Sequence, residues 1–94
     1  MKNYVRVARA FNNIQLGVDQ NNHAMVDYHD DLLKKMETES GYSFKSSRRI
    51  SIWISQGENR IISMTPDFED GFTIRGQNPV FAEEVTNWLN KEEV

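Results

Sequence analysis

Cysteine is missing from all 94 residues, which excludes disulfide frameworks, thiolate metal sites and cysteine nucleophiles together. Proline and glycine are scarce, two and five, and no repeat or low-complexity tract interrupts the chain, so there is no interdomain linker and 1–94 reads as a single domain. Long apolar runs are missing too. Hydrophobic residues reach 38%, but no run approaches the roughly 18 residues of a membrane span. The N-terminal stretch MKNYVRVARA lacks a signal peptide's apolar core, so a cytoplasmic chain without membrane association is expected. Disorder is disfavoured because 11% of the residues are aromatic.

The net charge of −3 is too mild to name a partner, yet it is unevenly laid along the chain. Residues 1–26 hold Lys2, Arg6 and Arg9 against Asp19, and residues 27–39 are acidic overall. Residues 40–62 turn basic through Lys45, Arg48, Arg49 and Arg60, and residues 63–94 are strongly acidic. Blocks kept on separate surfaces would create a dipole able to steer a charged partner; intermixed by folding, they would leave an ordinary surface.

The clearest element is a helix over 23–39. Met25, Tyr28, Leu32, Leu33 and Met36 share one side, and Asp27, Asp30, Asp31, Lys34 and Thr38 the other. Asn21 or Asn22 can cap its start, Gly41 can end it in a left-handed conformation, and Asp30–Lys34 and Asp31–Lys35 are favourably ordered i,i+4 pairs. A second helix follows Asn78-Pro79, a cap residue and a proline whose missing N–H costs nothing there. Phe81, Ala82, Val85, Trp88 and Leu89 form its apolar stripe.

Three strands are expected between the helices. Arg49–Ser55 alternates, Gln56-Gly57-Glu58-Asn59 turns the chain, Arg60–Thr65 returns, and Phe72–Arg75 follows a loop over 65–71. The preferred register sets Ile62 and Met64 on the face of Ile50, Ile52 and Ile54, giving one apolar face; a one-residue slip would destroy it. The segment from Tyr4 to Val18 fits either a hairpin turning at Asn12-Asn13 or a helix through Tyr4, Val7, Ala8 and Phe11. Tandem asparagine tolerates the positive φ of a two-residue turn and tips the reading to the hairpin. The expected fold is α+β: two helices on one face of an antiparallel sheet of three to five strands, in the order β-β-α-β-β-β-α.

Chemistry is sparse. No G-x-S-x-G, Walker loop, H-E-x-x-H or glycine-rich phosphate cradle occurs, so no catalytic residue and no cofactor are expected. His23, Asp27 and Asp31 line one helical stripe, but metal sites need further ligands and Lys34 competes for the carboxylates, so no metal is expected. His29 projects toward the apolar side, where a hydrogen-bonded histidine at a core edge is the common outcome.

The surface is more informative. If the isoleucines face inward, Arg49, Trp53, Ser63, Thr73 and Arg75 share the outer sheet face. Arginine beside an exposed aromatic is the composition of a protein hot spot or a nucleic-acid stacking platform. A covering segment or a homodimer mate over Trp53 is the competing reading. The acidic loop Asp67, Glu69 and Asp70, with Glu83 and Glu84, could dock a basic partner or mimic phosphates.

The order α-β-β-β-α over 23–91 resembles the double-stranded RNA-binding domain, a family that grips phosphates with lysines opening its last helix. Here those positions hold Pro79, Val80, Glu83 and Glu84, which would repel RNA. Ser63-Met64-Thr65-Pro66-Asp67-Phe68, Gly71-Phe72-Thr73, Gly76 and Ala82-Glu83-Glu84 are similar to the strand–helix core of HicB-type antitoxins, over about a third of the chain.

The leading expectation is a non-enzymatic module that docks a protein partner as an inhibitor or regulator, a role that would suit a phage or mobile-element protein. Its contacts are expected at Arg49, Trp53 and Arg75, or at Asp67, Glu69 and Asp70. The alternative is a nucleic-acid binder using Tyr42, Lys45, Arg48, Arg49 and Trp53. A metal- or histidine-dependent enzyme centred on His23, Asp27 and His29 comes third.

Overall fold

The expected hairpin at the N-terminus is a helix. The computed structural model describes residues 1–46, 51–67, 69 and 71–93. Within them the order is α1 (Asn3–Asp19), α2 (His23–Ser40), β1 (Ser43–Ser46), β2 (Ile52–Ser55), β3 (Ile61–Asp67), β4 (Gly71–Gly76) and α3 (Pro79–Leu89). The architecture is α+β, with α-α-β-β-β-β-α replacing the expected order. A fourth strand also separates it from the α-β-β-β-α order of the RNA-binding resemblance.

The reason for α1 lies in its partner. Val7, Ala8 and Ala10 are buried, and Tyr4, Phe11 and Ile14 pack against the same core. This is the helical alternative through Tyr4, Val7, Ala8 and Phe11. Gly17 marks the closest approach to α2: a Cβ there would lie 2.9 Å from Val26 Cγ2 and 3.2 Å from the Asn22 carbonyl. The asparagine turn exists, but at the end of α1. Asn21 takes a φ of 53°, and the Asn22 N–H donates to the Gly17 carbonyl at 2.7 Å. Asn12 and Asn13 are ordinary helical residues.

The caps of the other two helices match their residues. The Asn22 side chain accepts from the Met25 N–H at 3.1 Å, and Gly41 closes α2 at a φ of 78°. Asn78 accepts from the Phe81 N–H at 3.0 Å, with Pro79 opening α3.

The four strands form an antiparallel meander in the order β1-β2-β3-β4. Ile52 faces Met64 and Ile54 faces Ile62, as the odd-length connection over 56–60 requires. All four are at most 3% exposed, so the apolar face is the one covered by helices. Val7, Ala10, Leu33, Met36, Phe81, Val85 and Leu89 complete that core. Ile50, placed on this face by its alternation, lies outside the described residues. Strand β1 has no counterpart in the expected order. Its Phe44 points inward, and its N–H donates to Glu37 Oε2 of α2 at 3.0 Å, which blunts an open edge.

Charged side chains stitch the sequence blocks together. Arg6 of α1 meets Glu39 of α2 at 3.6 Å, and Arg60 pairs with Glu84 of α3. Basic and acidic blocks are therefore interleaved at these points.

Candidate functional site

Helices cover one side of the sheet and leave the other open among the described residues. Alternation along the strands then decides which side chains reach solvent. Lys45 pairs with Trp53, Trp53 with Ser63, and Ser63 with Arg75, so the four form one row across all four strands. At about 4.8 Å per strand the row spans roughly 14 Å between the Lys45 and Arg75 backbones. Trp53 and Ile61 are each 46% exposed, and Lys45 and Arg75 are exposed at the ends of the row. Ile61 pairs with Ser55 and is thus a diagonal neighbour of Trp53 on the same face. Further along, Thr73 pairs with Thr65, whose hydroxyl meets that of Ser51 at 3.3 Å.

A groove of about 930 Å³ runs along one end of this face. Trp53, Ile61, Ser63 and Arg75 form its sheet side, Glu58 and Asn59 its turn side, and Gln77 to Pro79 its far wall. Arg60 holds the turn in place. Its Nη1 donates to Gln56 Oε1 at 2.9 Å, its guanidinium lies 4.7 Å from the Phe81 ring centroid, and it pairs with Glu84. In the sequence Arg60 reads only as the start of a strand. Alternation along β3 cannot show that it reaches α3, so its positioning role has no local signal.

Trp53 and Arg75 are brought together as expected. Asp67 and Glu69 sit at the β3–β4 turn, where Asp67 Oδ1 accepts from the Glu69 N–H at 3.0 Å. Asp67 is four residues from Ser63 along β3, about 13 Å away, so the acidic turn occupies the other end of the sheet. Glu84 is drawn to Arg60 instead. Arg48, Arg49 and Asp70 lie outside the described residues.

Tyr42 is not on this face. Its ring stands edge-on to Phe81 and to Trp88, 5.7 Å from each, and Trp88 stacks on Phe44 at 5.7 Å. Burial pushes the Tyr42 phenol above its ordinary pKa, and the Glu84 charge adds to this while Arg60 opposes it. The set expected for nucleic acid is accordingly divided between two sides of the sheet.

His23, Asp27 and Asp31 are exposed on α2, and Asp30 meets Lys34 at 3.0 Å. Among the described residues no group of three or more His, Asp or Glu is arranged to hold a metal ion. His29 is half-buried, its Nδ1 2.9 Å from the Met25 carbonyl, the hydrogen-bonded place at a core edge expected of it. No helix among the described residues is long and apolar enough to cross a membrane. Comparison with protein-family models, curated proteins and solved structures returns no match for this chain.

Proposed function

We propose that the chain is a non-enzymatic docking module that binds a protein partner across its open sheet face, acting on that partner as an inhibitor or regulator. One observation carries the reading: two large apolar side chains, Trp53 and Ile61, stand 46% exposed on a sheet face left open among the described residues, in or beside a row ended by two cations. Tryptophan and arginine are among the residues most enriched at interface hot spots. Lys45 and Arg75 suit a partner whose own surface sets acidic groups around an apolar centre. A module without catalytic machinery acts by occupancy, which is what an inhibitor does.

Two features favour protein over nucleic acid. Single-strand platforms stack successive bases on several aromatics, and Tyr42 is engaged with Phe81 and Trp88 on the helix side, leaving Trp53 as the stacking ring of the set. Glu58 also lines the groove, where it would repel phosphates. A cytoplasmic setting belongs to the same proposal, because a cysteine-free chain draws no stability from an oxidising compartment.

The test compares wild type with Trp53→Ser and Arg75→Glu. Each is used to capture protein from extracts of the source organism, and the retained partner is purified for calorimetry. Both substitutions should weaken the purified pair by about tenfold or more. Equal affinity for all three proteins would remove the reading. Binding to single-stranded RNA or DNA that falls steeply with salt would replace it with the nucleic-acid reading. A doubled mass with Trp53 shielded from quencher would replace it with a homodimer.

A further inference from the structure

A second concave site lies away from the open sheet face, between α1 and α2, and owes nothing to the docking reading. We propose that this cleft binds a small carboxylate carried on an apolar, ring-sized body.

The cleft encloses about 240 Å³. That is below the roughly 300–1,000 Å³ typical of pockets for drug-sized ligands, so the ligand is small. Its floor is apolar: Ala10 and Met36 are each 2% exposed, and Leu32 is half-buried beside them. Tyr28 stands at its edge, 61% exposed, with its ring edge-on to His29 at 5.0 Å between centroids. Large apolar groups left open around such a floor favour a ligand with a flat hydrocarbon face.

The polar wall comes from α1, where Arg6, Arg9 and Asn13 follow at three- and four-residue spacing and so share one flank of the helix. Arg6 is already committed. Its Nη1 donates to Asn3 Oδ1 at 2.9 Å, and its Nη2 lies 3.6 Å from Glu39, which offsets its charge. Arg9 is exposed and makes no hydrogen bond or ion pair among the described residues, so its five-donor guanidinium is uncommitted. One uncompensated cation calls for a single negative charge, and a guanidinium fork matches a planar carboxylate in two parallel hydrogen bonds. His29 adds fixed geometry. A carbonyl only accepts, so the contact with Met25 sets the Nδ1–H as donor and keeps the ring in place at the cleft wall.

The experiment is an amide-detected NMR titration with benzoate, with benzamide as the neutral isostere and inorganic phosphate as the anion without an apolar body. Saturable shifts are expected in α1 around 6–13 and in α2 around 28–36, with a dissociation constant on the order of 1 mM. Benzamide should bind about tenfold more weakly, and Arg9→Gln should lose about tenfold for benzoate. Arg9 is exposed, so the variant keeps its fold, which its unshifted sheet amides will verify. Benzamide or phosphate binding as tightly as benzoate would overturn the proposal. So would an undiminished Arg9→Gln affinity, shifts confined to the Trp53 face, or no saturable shift at all.

Discussion

The Asn3 side-chain amide donates a 2.9 Å hydrogen bond to the Trp88 carbonyl, joining the first turn of α1 to the last turn of α3. Asn3 is fully buried and fully used. Its Oδ1 accepts from Arg6 at 2.9 Å, and its backbone N–H donates to the Lys91 carbonyl at 3.0 Å. Trp88 in turn stacks on Phe44 of β1. A single polar side chain thus ties the two ends of the chain to each other and to the aromatic cluster over the sheet.

Replacing Asn3 with alanine removes those side-chain bonds from a site closed to water. The Trp88 carbonyl loses its side-chain donor but keeps the Lys91 N–H at 3.1 Å, so the cost is that of the lost side-chain bonds, about 0.5–1.5 kcal/mol each, and of the small void left behind. Asn3→Ala should therefore lower stability by about 2–3 kcal/mol in urea unfolding, with an unchanged m-value. A loss below about 0.5 kcal/mol would show that water replaces the amide and that the ends are not tied there.

Gly17 sets how closely α1 and α2 pack. Alanine would gain about 1 kcal/mol of helix propensity. Its Cβ, however, would fall 2.9 Å from Val26 Cγ2. The clash should win, leaving Gly17→Ala about 1 kcal/mol less stable than wild type. Pairing it with Val26→Ala separates the causes. The double variant should lose less than the sum of the two single losses, because the valine methyl that the new Cβ meets is gone. Strict additivity would place the strain at the Asn22 carbonyl instead.

These contacts show why the N-terminal third is the hardest part to read. Tyr4, Val7, Ala8 and Phe11 carry a helical period beside a strand-like alternation, and the choice depends on Gly17 and Ala10 meeting α2, which is not a local property. Tandem asparagine does signal a turn, but the pair that turns is Asn21-Asn22. Strand β1 is hidden for a related reason. Its four residues carry one apolar side chain, so no alternation shows, and its pairing comes from β2 and from Glu37. By contrast, Asn22, Gly41 and Asn78-Pro79 act within a turn of their own positions and are legible. So is the outer face, since a period of two assigns Trp53 and Arg75 together once Ile52 and Ile54 face inward. Lys45 joins the row only through β1, and the groove wall only through the folding of 56–60 against 77–79.

Neighbouring residues on β2 offer a direct check of that face. Ile54 is 0% exposed and Trp53 46% exposed, so truncating each should have contrasting consequences. Ile54→Ala leaves a cavity in the core and should cost about 2–5 kcal/mol. Trp53→Thr exchanges one good strand former, an aromatic, for another, a β-branched residue, on a solvent-facing strand and should change stability by about 0.5 kcal/mol or less. Chemical unfolding of both variants measures the contrast. A large loss at Trp53 would mean that something covers the face.

Tyr42 couples the aromatic cluster to alkaline pH. Its phenol is held above the ordinary value of 10.0, first by burial and then by the negative charge of Glu84, with Arg60 acting in the opposite sense. The folded state therefore binds the phenolic proton more tightly than the unfolded state does. Up to the unfolded pKa, about pH 10, this proton is bound in both states and the full stability is present. As pH rises from there through the folded pKa, the unfolded chain releases the proton first and stability falls. Tyr42→Phe keeps the edge-on contacts with Phe81 and Trp88 but has no proton to release. Urea midpoints at about pH 7 and about pH 10.5 should show the variant close to wild type at the lower pH and less destabilised at the higher one. Parallel losses in the two proteins would place the alkaline sensitivity elsewhere, and a variant that loses more would reverse the sign assigned to Tyr42.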